Sequence, residues 1–474
     1  MKRTQVMGVA VTRSRRPAAD DWQALRRRVR GPVLLPGDPG YEQARRIADP
    51  RFGLVRPLGV VRCADPRDVR EAVLFARRHR LRPHPRSGGH GYAGYSTGPG
   101  LVIDVSPMSG VTVDQDVARV GAGARAGEVA RVLDRHDRLL PLGTCPDVGI
   151  AGLTLGGGIG TVGRAYGLTM DHLLQAEVVL ADGRMETCGP DAHADLFFAL
   201  RGAGTAGFGI VTSLVFGTHP APDVHTFLLE WPWSPDLVAA WQDWALTVPD
   251  RMFTQLVLRP GPGQAVVAAV WCGPRREAAH LLVGLTRAMG TGPAGVRAHS
   301  SRYPEATELL WCFSREGMAG ASGPCFQADH LLDRPLPPEA VGVLTRALAR
   351  GAEPEGGGRR DCVIELQGGA LGRAEGTAWA HRDCRFGMWV RAWADARTGL
   401  GATLAARDWT ARLWHDLRPW ATGQAYQNHV SARQPDWARA YYGEHLDRLR
   451  TVKARYDPGD LFHFPHAIRP PRPA

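Results

Sequence analysis

The chain has 474 residues, 44% hydrophobic and 22% charged, with a formal net charge of +11. That length exceeds one ordinary core and predicts two domains, while the lack of any run of about 18 apolar residues argues against a membrane-spanning helix. The basic excess is nearly all arginine mixed with Asp and Glu, clusters only at 26–30 and comes with no nucleic-acid-binding signature, so no nucleic-acid partner is expected.

The first 22 residues lack an apolar core, which predicts no signal peptide and a cytoplasmic protein; "SRRP" at 14–17 resembles a twin-arginine signal only superficially. Residues 59–64 read as a strand. Residues 65–79 read as a helix, capped by Asp65, with Pro66 in its first turn and Val69, Val73, Leu74 and Ala76 at helical spacing. A strand then runs into a glycine-rich loop at 87–98. Residues 100–124 alternate like antiparallel strands, and 125–140 read as a helix. A second glycine-rich stretch, 143–167, precedes a hairpin at 175–188 turning on Asp182-Gly183. Residues 194–220 read as helix, glycine loop and strand. From 221 onward tryptophan-rich strands alternate with helices, and the strand at 363–371 puts Glu365 and Gln367 on one face. A last helix stops at Asp457-Pro458, and its apolar face predicts that it folds back onto the first domain.

"GAGTAG" at 202–207 satisfies the dinucleotide fingerprint GxGxxG. However, a helix precedes it and a strand follows, the reverse of what that fingerprint requires, so a Rossmann nicotinamide site is not expected. None of the eight cysteines forms a CxxC pair, which argues against zinc, and they are too sparse for a disulfide scaffold. The two glycine-rich loops offer successive N–H groups unobstructed by side chains, suited to a pyrophosphate. Each carries one nucleophile, His90 in the first and Cys145 in the second. They are either metal ligands, which would need further ligands nearby, or points of covalent attachment to one cofactor.

The segments "RPLGVVRCADPRDVREAV" (56–73), "RSGGHGYAGYS" (86–96), "GTCPDVGIAGLTLGGGIGTVGRAYGLTMDHL" (143–173) and "RGAGTAGFGIVTSLVF" (201–216) resemble the FAD-binding domain of the vanillyl-alcohol oxidase superfamily. With "AYQNHV" (425–430) and "YYGEHLDRLRTVKARYDPGDLF" (441–462), the resemblance narrows to the berberine bridge enzyme-like flavoprotein oxidases. It implies an α+β, two-domain fold: a PCMH-type FAD-binding domain at 32–220, a substrate domain at 221–436 with an antiparallel sheet covered by helices, and a C-terminal segment at 437–474 returning to the first. It further implies a bicovalent FAD, His90 bonding the flavin 8α-methyl and Cys145 its C6, with no metal. Further FAD contacts implied are Arg86, Ser87, Gly88, Gly89, Gly91, Gly143, Thr144, Val148, Gly149, Gly152, Gly156, Gly157 and Gly160, with Ile210, Val211 and Asn428. The glycines are expected there because a Cβ would clash with the cofactor. Val148 occupies the position that controls oxygen access in the family, and its small side chain points to an oxidase.

Flavin oxidation of an alcohol needs a base for the hydroxyl proton as hydride leaves carbon. The family's base is usually a tyrosine of a "YxNY" motif; here the segment is "YQNH", with histidine in the last place. His429 and Tyr426 are therefore both candidates, with Tyr92 and Tyr166 as supporting aromatics. Glu365 and Gln367 either bind substrate hydroxyls and assist the base or lie on a solvent-facing strand edge. The expected activity is oxidation of a sugar, glycoside or polyketide-like alcohol by O2 in secondary metabolism, as a monomer or homodimer. Oxidative cyclisation or desaturation by the same flavin, and a non-catalytic flavin-binding protein, are the alternatives.

Overall fold

The computed structural model describes residues 16–260, 264–316, 323–350, 359–395, 399–431 and 433–471. The expectations about the leader therefore fall largely outside the described residues. The helix Pro66–Arg78 begins as its cap dictates, with Asp65 Oδ1 accepting from the N–H of Arg67 (2.8 Å) and of Asp68 (3.1 Å). It crosses between the strands Gly59–Arg62 and Pro83–Arg86. Leu101–Asp104 inserts between these two and runs parallel to both, with Val33–Leu34 at the sheet edge.

This corrects the antiparallel reading of 100–124. All four residues of Leu101–Asp104 are buried, as in parallel sheets covered on both faces, and no alternation marks the partner. Only Val111–Asp114 and Val117–Gly121 form the antiparallel hairpin, at one edge of a five-stranded sheet completed by Ile210–Gly217, Leu173–Val179 and Met185–Cys188. Within the second glycine-rich stretch, Ile150–Leu155 forms a short helix that its glycine content conceals in the sequence.

The second half is built on a seven-stranded antiparallel sheet in the order Gly295–Ser301, Val224–Trp231, Gln264–Cys272, Met252–Arg259, Arg359–Leu366, Phe386–Trp393 and Cys325–Leu332. Its side chains alternate cleanly between two faces. Leu256, Leu258, Cys362, Ile364, Met388 and Val390 pack under the helices Pro235–Ala245, Arg275–Ala288, Pro338–Arg350 and Gly399–Leu417. The intervening Val257, Val363 and Trp389 join a separate cluster with Leu168, Met170 and Tyr426, which faces the first half. Function is built on that second face.

The chain returns to the first core at Ala425 and Val430, ahead of the expected boundary at 437; the helix Ala19–Arg28 joins it ahead of residue 32. The helix Leu446–Tyr456 buries Leu449, Val452 and Tyr456 there. Lys453 and Asp457, both 0% exposed, form a 2.7 Å ion pair. Lys453 Nζ also donates to the carbonyls of Gly207 (2.6 Å) and Phe462 (2.9 Å), tying the tail to the glycine loop after residue 203. Among the described residues no helix is long and apolar enough to cross a membrane.

Candidate active site

A cavity of about 780 Å³ lies between the glycine loops and the free face of the seven-stranded sheet. On one wall the two loops are stitched together. Gly88 and Gly149 pass back to back, so a Cβ on either would lie 2.2 Å from the other's amide nitrogen. Arg125 Nη1 donates to the Gly88 carbonyl (3.2 Å), and Ala126 N–H to that of Val148 (2.9 Å). This brings His90 and Cys145 onto the same wall, where Arg125 and Asp147 act electrostatically on both. Burial pushes the Cys145 thiol up to about 11 and lowers the His90 imidazole, whose Nδ1 lies 3.0 Å from the Gly88 carbonyl.

The wall suits a phosphate-bearing cofactor. Among the described residues no amide N–H of 88–91 finds a protein acceptor, leaving successive donors for a ligand. A Cβ built at Gly91 or Gly152 meets nothing within 4 Å, so both face open cavity. Arg86, Ser87, Gly89, Gly143, Thr144, Val148, Ile210, Val211 and Asn428 also line it. No group of three or more His, Cys, Asp or Glu side chains is placed to hold a metal among the described residues.

The glycine expectations need correction. Gly156, Gly157 and Gly160 are absent from the cavity wall; added Cβ atoms would strike Asn428 Oδ1 (2.0 Å), the Trp379 ring (2.5 Å) and the Leu142 carbonyl (2.0 Å). Protein packing alone requires glycine at these three positions. Tyr166 is likewise off the wall, its ring 4.8 Å from that of His219 and its carbonyl accepting from His172 Nε2 (2.9 Å).

On the opposite wall, β-alternation presents Gln255, Val257 and Arg259, then Val363 and Glu365, then Trp389, Arg391 and Trp393. Glu365 and Gln367 are buried, which removes the solvent-edge reading, and Gln367 Nε2 donates to Glu365 Oε1 (2.7 Å). Gln367 stands behind Glu365, itself off the wall. Burial raises the Glu365 carboxyl to about 7 against the opposing pull of Gln367, Trp389 and Arg391.

His429 sits in an aromatic corner, its ring 4.8 Å from those of Trp389 and Tyr426 and 5.6 Å from that of Tyr92. Among the described residues its Nδ1 is buried without a hydrogen-bond partner, and burial together with the Arg391 charge lowers its pKa to about 3. The imidazole is therefore a poor proton acceptor at neutral pH. Tyr426 Oη receives the N–H groups of Gly158 (3.1 Å), Ile159 (3.2 Å) and Asn428 Nδ2 (3.0 Å), while burial pushes its pKa up. Its hydroxyl fastens the C-terminal segment to the second loop. Asp329 Oδ2 fixes the backbone of the same residue by accepting its N–H (2.7 Å).

Trp389 and Arg391 are functional candidates that the sequence reading passed over. The alternation in "FGMWVRAW" at 386–393 was the available signal, but it does not say which face meets a cavity.

Residues 57–189 match a family profile described as FAD binding domain, and residues 425–469 one described as Berberine and berberine like. The chain is 32% identical over 458 residues to the uncharacterized FAD-linked oxidoreductase YgaK of Bacillus subtilis, covering 93% of this chain and 97% of that one. It is 30% identical to the xylooligosaccharide oxidase of Thermothelomyces thermophilus over 87% of each chain. Among solved structures, BBE-like 1 of Physcomitrella patens aligns with a TM-score of 0.86 at 26% identity, over 95% of this chain and 99% of that one.

Proposed function

The chain belongs to the berberine bridge enzyme-like FAD-linked oxidoreductases, and from that premise we propose that it is an oxidase converting an alcohol, on a sugar or a natural product, to a carbonyl. FAD, when bound, supplies the acceptor for hydride from the substrate carbon and is reoxidised by O2 to give hydrogen peroxide. His90 and Cys145 on the loop wall would hold it covalently, and the free amides of 88–91 would receive its phosphates.

The observation that carries the reading is the placement of Glu365, a buried carboxyl on the cavity wall, where burial raises its pKa to about 7. A base poised near neutrality suits removal of a hydroxyl proton. Glu365 takes that proton, with Gln367 fixing the orientation of its carboxyl by the 2.7 Å bond. Tyr92, Trp389 and neutral His429 form the aromatic surface on which a sugar ring or similar body rests. Tyr426 positions that corner through its three N–H donors. Val148, small and on the wall, leaves O2 a path to the flavin.

A hydroxyl group on a sugar is the favoured substrate because a relative covering most of the chain is a xylooligosaccharide oxidase. The test is anaerobic mixing of FAD-loaded protein with a panel of sugar and natural-product alcohols. Loss of flavin absorbance with a product two hydrogens lighter and carrying a new carbonyl is expected. A cyclised or desaturated product, or no bleaching by any alcohol, would overturn the reading.

A further inference from the structure

The sheet wall of the cavity holds more positive charge than its neighbours neutralise. Register places Asp361 across from Arg391 and Arg359 across from Trp393. Arg391 Nε and Nη2 donate to both oxygens of Asp361 (2.7 and 2.9 Å), a bidentate pair that occupies the carboxylate, which is 1% exposed. Arg359 reaches the same carboxylate only at 3.8 Å. Arg259 lies over the Phe313 ring at 4.8 Å and Arg359 over Trp393 at 5.9 Å. Among the described residues, Arg259 Nε and Nη2 and Arg359 Nη1 are buried without a hydrogen-bond partner.

Among the described residues, three guanidinium groups thus stand on one cavity wall, and Asp361 pairs with two of them, Arg391 and Arg359, leaving Arg259 without an ion pair. Among the described residues, the other acids nearby are engaged: Glu230 pairs with Arg297 (3.5 Å), and Asp49 at the rim pairs with Arg51 (2.6 Å). The crowding is visible in Arg359, lowered to about 10 by burial and by the charges of Arg259 and Arg391. Burying unpaired charge is costly, and such sites persist where a ligand supplies the missing partner. The phosphates of FAD do not meet this need, because the amides suited to them lie on the opposite, loop wall.

We propose that the substrate is an alcohol bearing an anionic oxyacid group, carboxylate or phosphate, which Arg259 and Arg359 receive. This rests on the oxidase reading of the same cavity. Gln255 pairs with Glu365, so Arg259 stands four residues along the neighbouring strand from that level, ~13 Å, and Arg359 stands six residues from Glu365 on its own strand, ~20 Å. The anionic group therefore belongs to a unit beyond the one oxidised.

The test is calorimetric titration of FAD-loaded protein with cellobiose, cellobiouronic acid and cellobiose 6′-phosphate, each also scored for anaerobic flavin bleaching. At least one acid should bind ten-fold or more tightly than cellobiose, and the two acids distinguish carboxylate from phosphate. In Arg259→Gln and Arg359→Gln that preference should shrink at least five-fold. Equal affinity for the three sugars, binding of neither acid, or a preference surviving in the double variant would overturn the proposal. The wild-type comparison stands even if a variant fails to fold. Tight acid binding without bleaching by any alcohol would sink the oxidase reading and leave the anion site; bleaching with no charge preference would do the reverse.

Discussion

Glu365 and His429 stand on neighbouring parts of one cavity, yet burial acts on them in opposite directions. A buried carboxyl is held protonated and its pKa climbs; a buried imidazole is held neutral and its pKa falls. The "YQNH" segment directs attention to His429 and Tyr426, because the motif sits where the family's base usually does. Neither solvation nor the facing strand is visible there, so the case for Glu365 as the base rests on the fold. Glu365→Gln should lower the rate of anaerobic flavin reduction by about 10²–10⁴-fold, the range typical for loss of a general base. In the wild type, kcat/KM should rise with pH through about 7 as Glu365 ionises, and that limb should vanish in the variant. Stability carries the opposite sign: the folded pKa lies above the unfolded one, so the protonated carboxyl favours folding below about 4.5 and that advantage fades as pH rises through 7. Melting temperatures of wild type and Glu365→Gln should accordingly diverge in favour of the variant between pH 5 and 8.

Elements were legible wherever local chemistry fixes them. Asp65-Pro66 announces its helix, Asp182-Gly183 its hairpin, and the reversed order around 202–207 rules out the nucleotide fingerprint. Partner choice was not legible: Leu101–Asp104 carries no mark of the parallel strands that flank it. Glycines were legible as a group but not by purpose, since a backbone crossing and a cofactor clearance select the same residue. Alanine substitution separates them. Gly149→Ala drives a Cβ to 2.2 Å from the Gly88 nitrogen and should lower the melting temperature of the flavin-free protein markedly. Gly152→Ala meets open space and should leave that melting temperature within about 2 °C while weakening flavin uptake. If both behave alike, the distinction between packing and cofactor glycines is wrong.

At the scale of the molecule, a cofactor wall from the first half faces a substrate wall from the second, and the C-terminal tail locks the arrangement. Lys453 is the lock: its ammonium, wholly buried, joins Asp457, the Gly207 carbonyl and the Phe462 carbonyl, and Gly207 lines the cavity. Lys453→Met would strand the Asp457 carboxylate and should destabilise the protein by about 3–5 kcal/mol in denaturant unfolding, with flavin lost earlier in the transition. The central claim is that His90 and Cys145, brought to one wall by the Gly88–Gly149 crossing, grip one flavin. Intact mass of acid-denatured, FAD-loaded protein tests it most directly. Wild type, His90→Ala and Cys145→Ala should each retain the mass of one FAD, and the double variant none. A denatured wild type that sheds its flavin completely would contradict it.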